Sequence, residues 1–353
     1  MSYSVQFTGT GSDDTALLLK RYTGNMANPW RSGTFLWDQS SGVIERHSEP
    51  DGKEFQYLLW ADLPAPLDYD PGDEIMGQNF AIDEVNITPD KYLIEAHRVP
   101  RDKMRLSHFR EQVAGNLGRL HGNRLARQYD YRAFTLAGLG ARQAAVTKDG
   151  LPVHSGGTRV TRTGGSVSAA YPRSATGAAN FRADLRELGR EMDEKNIPRT
   201  NRWITYLPQI LDVLLFDTTG TLFGKDFIDS FDGNKVIRRE VQTIDGFKVL
   251  KDRRGALPNA ATNNGPFPDS NISSGLSKYQ ADFSIGASTG QPVAMAFCTD
   301  DMEQAPLAVI EFEPMGHHVQ YIPERMEWLF LSWLYVGGGV THPYGLGSIE
   351  VIT

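Results

Sequence analysis

The chain has 353 residues and a formal net charge of −7, with 40% hydrophobic and 22% charged residues. That is an ordinary composition for a soluble globular protein, on a chain long enough to bury a sizeable core over two or three domains. The single cysteine, Cys298, excludes an internal disulfide framework, and the negative total argues against a chain that seeks nucleic acid as a whole.

Residues 1–50 lack a strong period and are broken by glycine, proline and serine, with one short helical turn predicted over 15–22. They read as an extended arm that must lie on something else. The opening MSYSVQFTGTGSDD has no basic start followed by an apolar run, so no secretory signal is expected.

Residues 51–96 read as a long β-hairpin. One strand covers 53–60, rich in Phe, Tyr, Leu and Trp. Pro64, Pro66 and Asp70-Pro71-Gly72-Asp73 form the tip, and a return strand over 80–99 is broken at Thr88-Pro89-Asp90. A tip this long serves more than a chain reversal. A long helix follows over 104–137, with Leu106, Phe109, Val113, Leu117 and Leu120 at helical spacing. It is about 50 Å long at ~1.5 Å per residue. Gly115, Gly118 and Gly122 weaken it unless they mark close packing.

The charge is divided between these two regions. Residues 49–95 hold twelve Asp/Glu against two Lys/Arg, and residues 98–132 hold nine Lys/Arg against three Asp/Glu. Such blocks are solvated faces, or they are complementary surfaces on which copies of the chain dock.

The Gly/Ser/Thr-rich stretch 149–180 reads as a mobile linker or exposed loop, and a second helix as 180–195, ended by Ile197-Pro198. Residues 201–257 alternate strand and helix signals: strands at 203–206, 236–244 and 247–250, with 208–215 open to either state. Further strands are predicted at 293–298, 307–312 and 348–352, with a helix over 323–335. The apolar stretch 328–340 is too short to span a bilayer, so the expectation is a soluble, cytoplasmic product.

Catalytic motifs are few. Leu214-Leu215-Phe216-Asp217-Thr218-Thr219-Gly220-Thr221-Leu222 resembles the first motif of the haloacid-dehalogenase superfamily, which makes Asp217 the nucleophile of a magnesium-dependent phosphotransferase. Thr299-Asp300-Asp301 is a plausible acidic partner pair for the metal. The motif stands 216 residues into the chain, unlike that superfamily's usual early placement, and the simpler reading is that Asp217 and Thr218 cap a helix or open a turn. Gly138-Leu139-Gly140 lacks a third glycine and reads as a helix stop. His317 and His318 point to opposite sides of a strand, and Cys298 is a small buried hydrophobe. Any contact of the basic helix with nucleic acid is expected at phosphate level only. No cofactor or metal is assigned, and the expectation is a non-enzyme.

The order of elements resembles the major capsid proteins of tailed phages, the HK97-like fold, and most closely those of short-tailed podophages. Ala16-Leu17-Leu18-Leu19-Lys20 resembles their arm helix. Asp51-Gly52-Lys53-Glu54-Phe55-Gln56-Tyr57 with Asp70-Pro71-Gly72-Asp73-Glu74 resembles the extended loop, and 101–138 the spine helix. Residues 181–198 and Gly246-Phe247-Lys248-Val249 resemble axial-domain elements. Gly337-Gly338-Gly339-Val340-Thr341-His342-Pro343 resembles the glycine-rich turn near the C-terminus.

The resemblance implies an α+β fold with a peripheral domain and an α/β axial domain. The arm is residues 1–50 and the extended loop 51–80. The peripheral domain is 81–180 with 307–353, its spine helix about 104–137, and the axial domain is 181–306. It further implies self-assembly as hexamers and pentamers of an icosahedral shell in the virion, built in the host cytoplasm. A separate scaffolding protein, a portal, decoration proteins and non-specific contact with packaged double-stranded DNA are the implied partners, with no membrane. The inter-subunit residues are then Lys53, Leu58, Trp60, Asp62, Asp68, Tyr69, Asp70, Asp73 and Glu74 of the loop. They face the basic Arg98, Arg101, Lys103, Arg105 and Arg110, which are inter-subunit or genome-facing. An encapsulin-like compartment shell is the alternative within the same fold.

Overall fold

The computed structural model describes residues 22, 26, 43–48, 54–60, 68, 78, 80–90, 92–106, 110–214, 243–250, 257, 279, 282–299 and 305–353. The elements run β1 (Ile44–Ser48), β2 (Phe55–Trp60), β3 (Ile82–Ile87), β4 (Leu93–Pro100), α1 (Arg101–Leu106) and α2 (Arg110–Ala141). Then come β5 (Val146–Lys148), β6 (Leu151–His154), β7 (Thr158–Thr163), α3 (Val167–Ala170), α4 (Ala175–Glu194), β8 (Arg202–Tyr206) and α5 (Pro208–Leu214). The chain closes with β9 (Thr243–Ile244), β10 (Phe247–Val249), β11 (Gln291–Cys298), β12 (Leu307–Ile322), β13 (Glu327–Val340) and β14 (Leu346–Ile352). The fold is α+β, as expected.

Two larger sheets flank the inner half of α2. One has the order β1-β12-β13-β4, and the other β7-β14-β11-β8-β10-β9. Leu125, Tyr129, Phe134 and Ala137 of α2 pack on Val309, Leu334 and Val336 from the first sheet and on Met295, Phe297 and Leu346 from the second. On its other face the six-stranded sheet is covered by α4, whose Phe181, Leu185, Leu188 and Met192 meet Ile204, Ala294, Ile349 and Val351. Strand β11 is therefore buried on both faces, which explains its unbroken apolar run.

The long helix starts at Arg110 and runs four residues past the expected end, to Ala141. Gly138 and Gly140 lie inside its last turns and do not stop it. A β-carbon on Gly138 would come within 2.8 Å of the Phe283 ring, and one on Gly140 within 2.4 Å of Leu346. Close packing of the helix against the sheet requires both glycines.

Other expectations are corrected. The supposed linker 149–180 is folded: β5 and β6 pair as a hairpin, and β7 lies parallel to β14. Helix α4 begins at Ala175, ahead of 180, because Ser174 caps it by accepting from the Gly177 N–H. The helix expected over 323–335 is not formed: after a short turn at Pro323–Arg325, residues 327–340 make β13, which pairs with β12 along most of its length. Apolar side chains on both faces hide the strand's alternation in the sequence. Gly337, Gly338 and Gly339 belong to β13 and not to a turn. They let Thr88, Leu136 and Ile87 approach the strand closely.

Within the expected arm, Ile44–Ser48 is a strand paired parallel with β12. The expected peripheral segments 81–180 and 307–353 each give a strand, β7 and β14, to the six-stranded sheet. The break at Thr88-Pro89-Asp90 is real. Buried Asp90 accepts from Tyr279 Oη at 2.5 Å and pairs with Arg132 at 3.3 Å, while its own N–H donates to Val336. Consecutive strands β3 and β4 thereby leave for different partners, β2 and β13. Asp245 and Gly246, both with positive φ, make the two-residue turn between β9 and β10.

A buried ion cluster joins the end of α2 to the six-stranded sheet. The fully buried Glu350 carboxylate accepts from Arg142 Nε at 2.9 Å, Arg159 Nε at 2.8 Å and Ser348 Oγ at 3.1 Å. Arg142 also stacks over Phe283 and donates to two backbone carbonyls, of Asp282 and Gly290.

Candidate assembly surfaces

The acidic hairpin and the basic segment after it are the two surfaces the sequence singles out. Strands β2 and β3 pair antiparallel in strict register, from Phe55 opposite Ile87 to Trp60 opposite Ile82. One face of this pair is anchored. Leu59 packs with Ala81 and Val153, flanked by Tyr57, Val85, Val146 and Leu151, so the β5–β6 hairpin supports the base. Lys148 ties the two hairpins, donating to the Ile82 carbonyl at 2.5 Å and pairing with Asp83 at 3.6 Å. Tyr57 donates to Glu45 at 3.0 Å, and burial with that carboxylate pushes its phenol up to about 12.

The opposite face is open. Leu58 is 48% exposed and Phe80 62% exposed. Leu58 and Phe80 are the large apolar side chains exposed here, among exposed Gln56, Glu84 and Asn86. Asp68 is also exposed. The Trp60 backbone lies in β2, but its side chain falls outside the described residues, as do Lys53, Asp62, Tyr69, Asp70, Asp73 and Glu74.

Arg98 is exposed on β4, the edge strand of its sheet, and Arg101 and Lys103 are exposed on α1. The Arg101 N–H donates to the Met326 carbonyl, and its guanidinium rests over the Tyr321 ring, 5.8 Å from the centroid. Tyr321 belongs to β12, so this contact holds the guanidinium over the end of the four-stranded sheet. Arg105 and Arg110 sit in α1 and at the start of α2, with side chains outside the described residues. The three basic side chains that can be placed thus share one end of the four-stranded sheet. No contact between the acidic tip and this basic end is described within the chain.

The phosphotransferase motif can be followed only up to Leu214. Asp217, Asp300 and Asp301 fall outside the described residues, and the segment leading to Asp217 is helix α5, not a buried strand. Among the described residues, the polar cluster that sequence reasoning missed is Glu95, His97 and His121. Only the first two share a strand period. The third comes from packing α2 on β4.

No protein-family model matches the sequence, and no curated protein matches it. Solved structures do resemble it. The capsid of the cyanophage P-SCSP1u aligns with 88% of this chain and 87% of that chain, at a TM-score of 0.67 and 17% identity. The mature capsid of bacteriophage PhiM1 covers 88% and 86%, at a TM-score of 0.65 and 17% identity. The Microbacterium phage Oxtober96 structure covers 88% and 90%, at a TM-score of 0.52 and 9% identity. With alignments of that breadth, the chain has the HK97-like fold of these phage capsid structures.

Proposed function

We propose that this chain is a structural shell subunit, the major capsid protein of a short-tailed phage with a double-stranded DNA genome. The observation that carries this is a likeness to phage capsid chains that extends over 88% of the sequence. The anchored hairpin, with Leu58 and Phe80 exposed on it, supports the same reading. In this proposal copies associate as hexamers and pentamers of an icosahedral virion shell, assembled in the host cytoplasm. A separate scaffolding protein and a portal assist, decoration proteins are further candidate partners, and the remaining basic side chains meet the packaged DNA without sequence preference.

The hairpin is the proposed docking element. Its tip, with Asp62, Asp68, Tyr69, Asp70, Asp73 and Glu74, reaches the basic end of a neighbour, with Arg98, Arg101, Lys103, Arg105 and Arg110. Lys53, Leu58 and Trp60 lie nearer its base. Exposed ion pairs contribute roughly 0–1 kcal/mol each. Apolar burial contributes about 25 cal/mol per Å² and carries most of the affinity. Charge sets the register of docking, and symmetry repeats each weak contact around the shell.

The test is particle size. The purified chain, alone and with a co-expressed scaffold, is run on a sizing column and imaged in negative stain. Closed particles, tubes or hexameric rings support the reading. A clean monomer under all salt conditions sinks it.

A further inference from the structure

We propose that Glu95, His97 and His121 form a binding site for a divalent transition-metal ion of the zinc class, with one carboxylate oxygen and two imidazole nitrogens as ligands. Glu95 and His97 are two residues apart on β4, so they project from one face of the strand. His121 comes from α2 and is almost fully buried. One ligating atom from each residue lies within 4.8 Å of the other two. They border a cavity of about 450 Å³ whose wall includes Leu120, Asn123 and Gln128. Two histidines and a carboxylate suit zinc, and the cavity leaves room for water as a fourth ligand.

The spacing fits with small adjustments. His121 Nε2 and His97 Nδ1 stand 2.7 Å apart in a direct hydrogen bond. In a tetrahedral site with bonds of about 2.1 Å, ligand atoms lie roughly 3.4 Å apart. The two rings therefore part by roughly 0.7 Å as the ion enters between them, while the carboxylate closes in. His97 is exposed on an edge strand and free to make that movement.

His121 is already held as a ligand is held. Its Nδ1 hydrogen-bonds with the Tyr22 hydroxyl and lies 3.2 Å from Ser332 Oγ. Hydroxyl partners on Nδ1 fix the ring and leave Nε2 aimed at the cavity, the outer-shell arrangement usual for metal-bound histidine. The site then links four segments: β4, α2, β13 through Ser332, and the arm through Tyr22.

Two cations line the cavity, Arg124 and Arg127, and the first competes directly for the carboxylate. Arg124 Nε pairs with Glu95 Oε1 at 2.7 Å, and its side chain is largely exposed. The guanidinium occupies the carboxylate in place of a metal and repels an arriving one. It can swing into solvent or keep the second carboxylate oxygen. Removing it should tighten metal binding, while removing a ligand should weaken it.

The test uses the full-length chain, dialysed free of metal and titrated with Zn²⁺ by calorimetry and with Co²⁺ by visible absorption. One ion per chain is expected, with the Co²⁺ bands of a four-coordinate nitrogen–oxygen site. His97→Ala and Glu95→Gln should each weaken binding more than ~10-fold, since loss of an outer-shell partner alone costs that much. Arg124→Gln should strengthen it several-fold. His97 is exposed, so its variant folds and separates loss of the site from loss of structure. Binding that survives His97→Ala, or a metal-free chain that takes up no equivalent, overturns the proposal.

Discussion

The Tyr22 carbonyl oxygen lies so near Gly118 that a β-carbon there would stand 2.5 Å from it, and the Met26 carbonyl stands in the same relation to Gly122. Both pairs are spaced by one helical turn, so the arm rests on α2 where glycines leave its backbone bare. Gly118→Ala should therefore destabilise the chain by about 1 kcal/mol. Overpacking costs about 1–3 kcal/mol, against roughly 1 kcal/mol gained by replacing a helical glycine. Thermal melts combined with limited proteolysis near Tyr22 measure this. A more stable variant with an unchanged cleavage pattern contradicts the packing described.

Among the described residues, Glu350 is the carboxylate that both Arg142 and Arg159 bond in the cluster joining the end of α2 to the six-stranded sheet. Glu350→Ala should cost about 3 kcal/mol, the low end for breaking a buried pair, because both arginines keep partial access to water. Denaturant unfolding should show a lower midpoint at unchanged slope. A midpoint unmoved by the substitution removes the cluster's structural role.

His154 gives a pH dependence. Its Nδ1 accepts the Gly156 N–H at 3.1 Å, and burial lowers its pKa below 6.5 while nearby Asp83 opposes the shift. The folded state then binds fewer protons than the unfolded one, so stability rises with pH through this window. The contribution is complete above pH 6.5 and fades as pH falls through 6.5 toward the folded value. His154→Asn keeps an acceptor in place of Nδ1 and removes the titration. Its stability should fall less steeply on acidification than that of the wild type. Comparing the two isolates His154 from His121 and His317, which shift in the same direction.

Deleting residues 62–76 tests the docking proposal. Trp60 and Ile82 already face each other at the end of the β2–β3 pair, so a shorter tip can close without disturbing the base. The expected result is a folded subunit that fails to form closed shells in electron micrographs. Normal shells from this variant would falsify the docking role. Raising salt should slow assembly of the intact chain through charge screening and leave the apolar contacts in place.

The sequence was most legible where turn chemistry and alternation agree. Thr88-Pro89-Asp90 announces the break between β3 and β4, and 293–298 and 348–352 are strands as read. Strand β13 was not legible, because Leu331, Trp333 and Tyr335 on one face match the apolar character of Phe330 and Leu334 on the other. In β7, Thr158-Arg159-Val160-Thr161-Arg162-Thr163 does alternate, but its Gly/Ser-rich surroundings masked the signal. The glycines at 118, 122 and 337–339 carried their meaning only once their neighbours were known. The same holds for His121, which becomes a partner of Glu95 and His97 through tertiary packing alone. The acidic and basic blocks were plain in the sequence, while the contact proposed between them needs a second copy of the chain.

The six-stranded sheet places β14 between β7 and β11, parallel to one and antiparallel to the other. During translation, β7 and β11 emerge from the ribosome long before the strand that joins them. Until residues 346–352 follow, each retains an unpaired edge, the kind of surface that invites aggregation. Folding of this lobe is therefore a late event in synthesis, timed by Leu346–Ile352. A chain that terminates early has no way to complete the sheet.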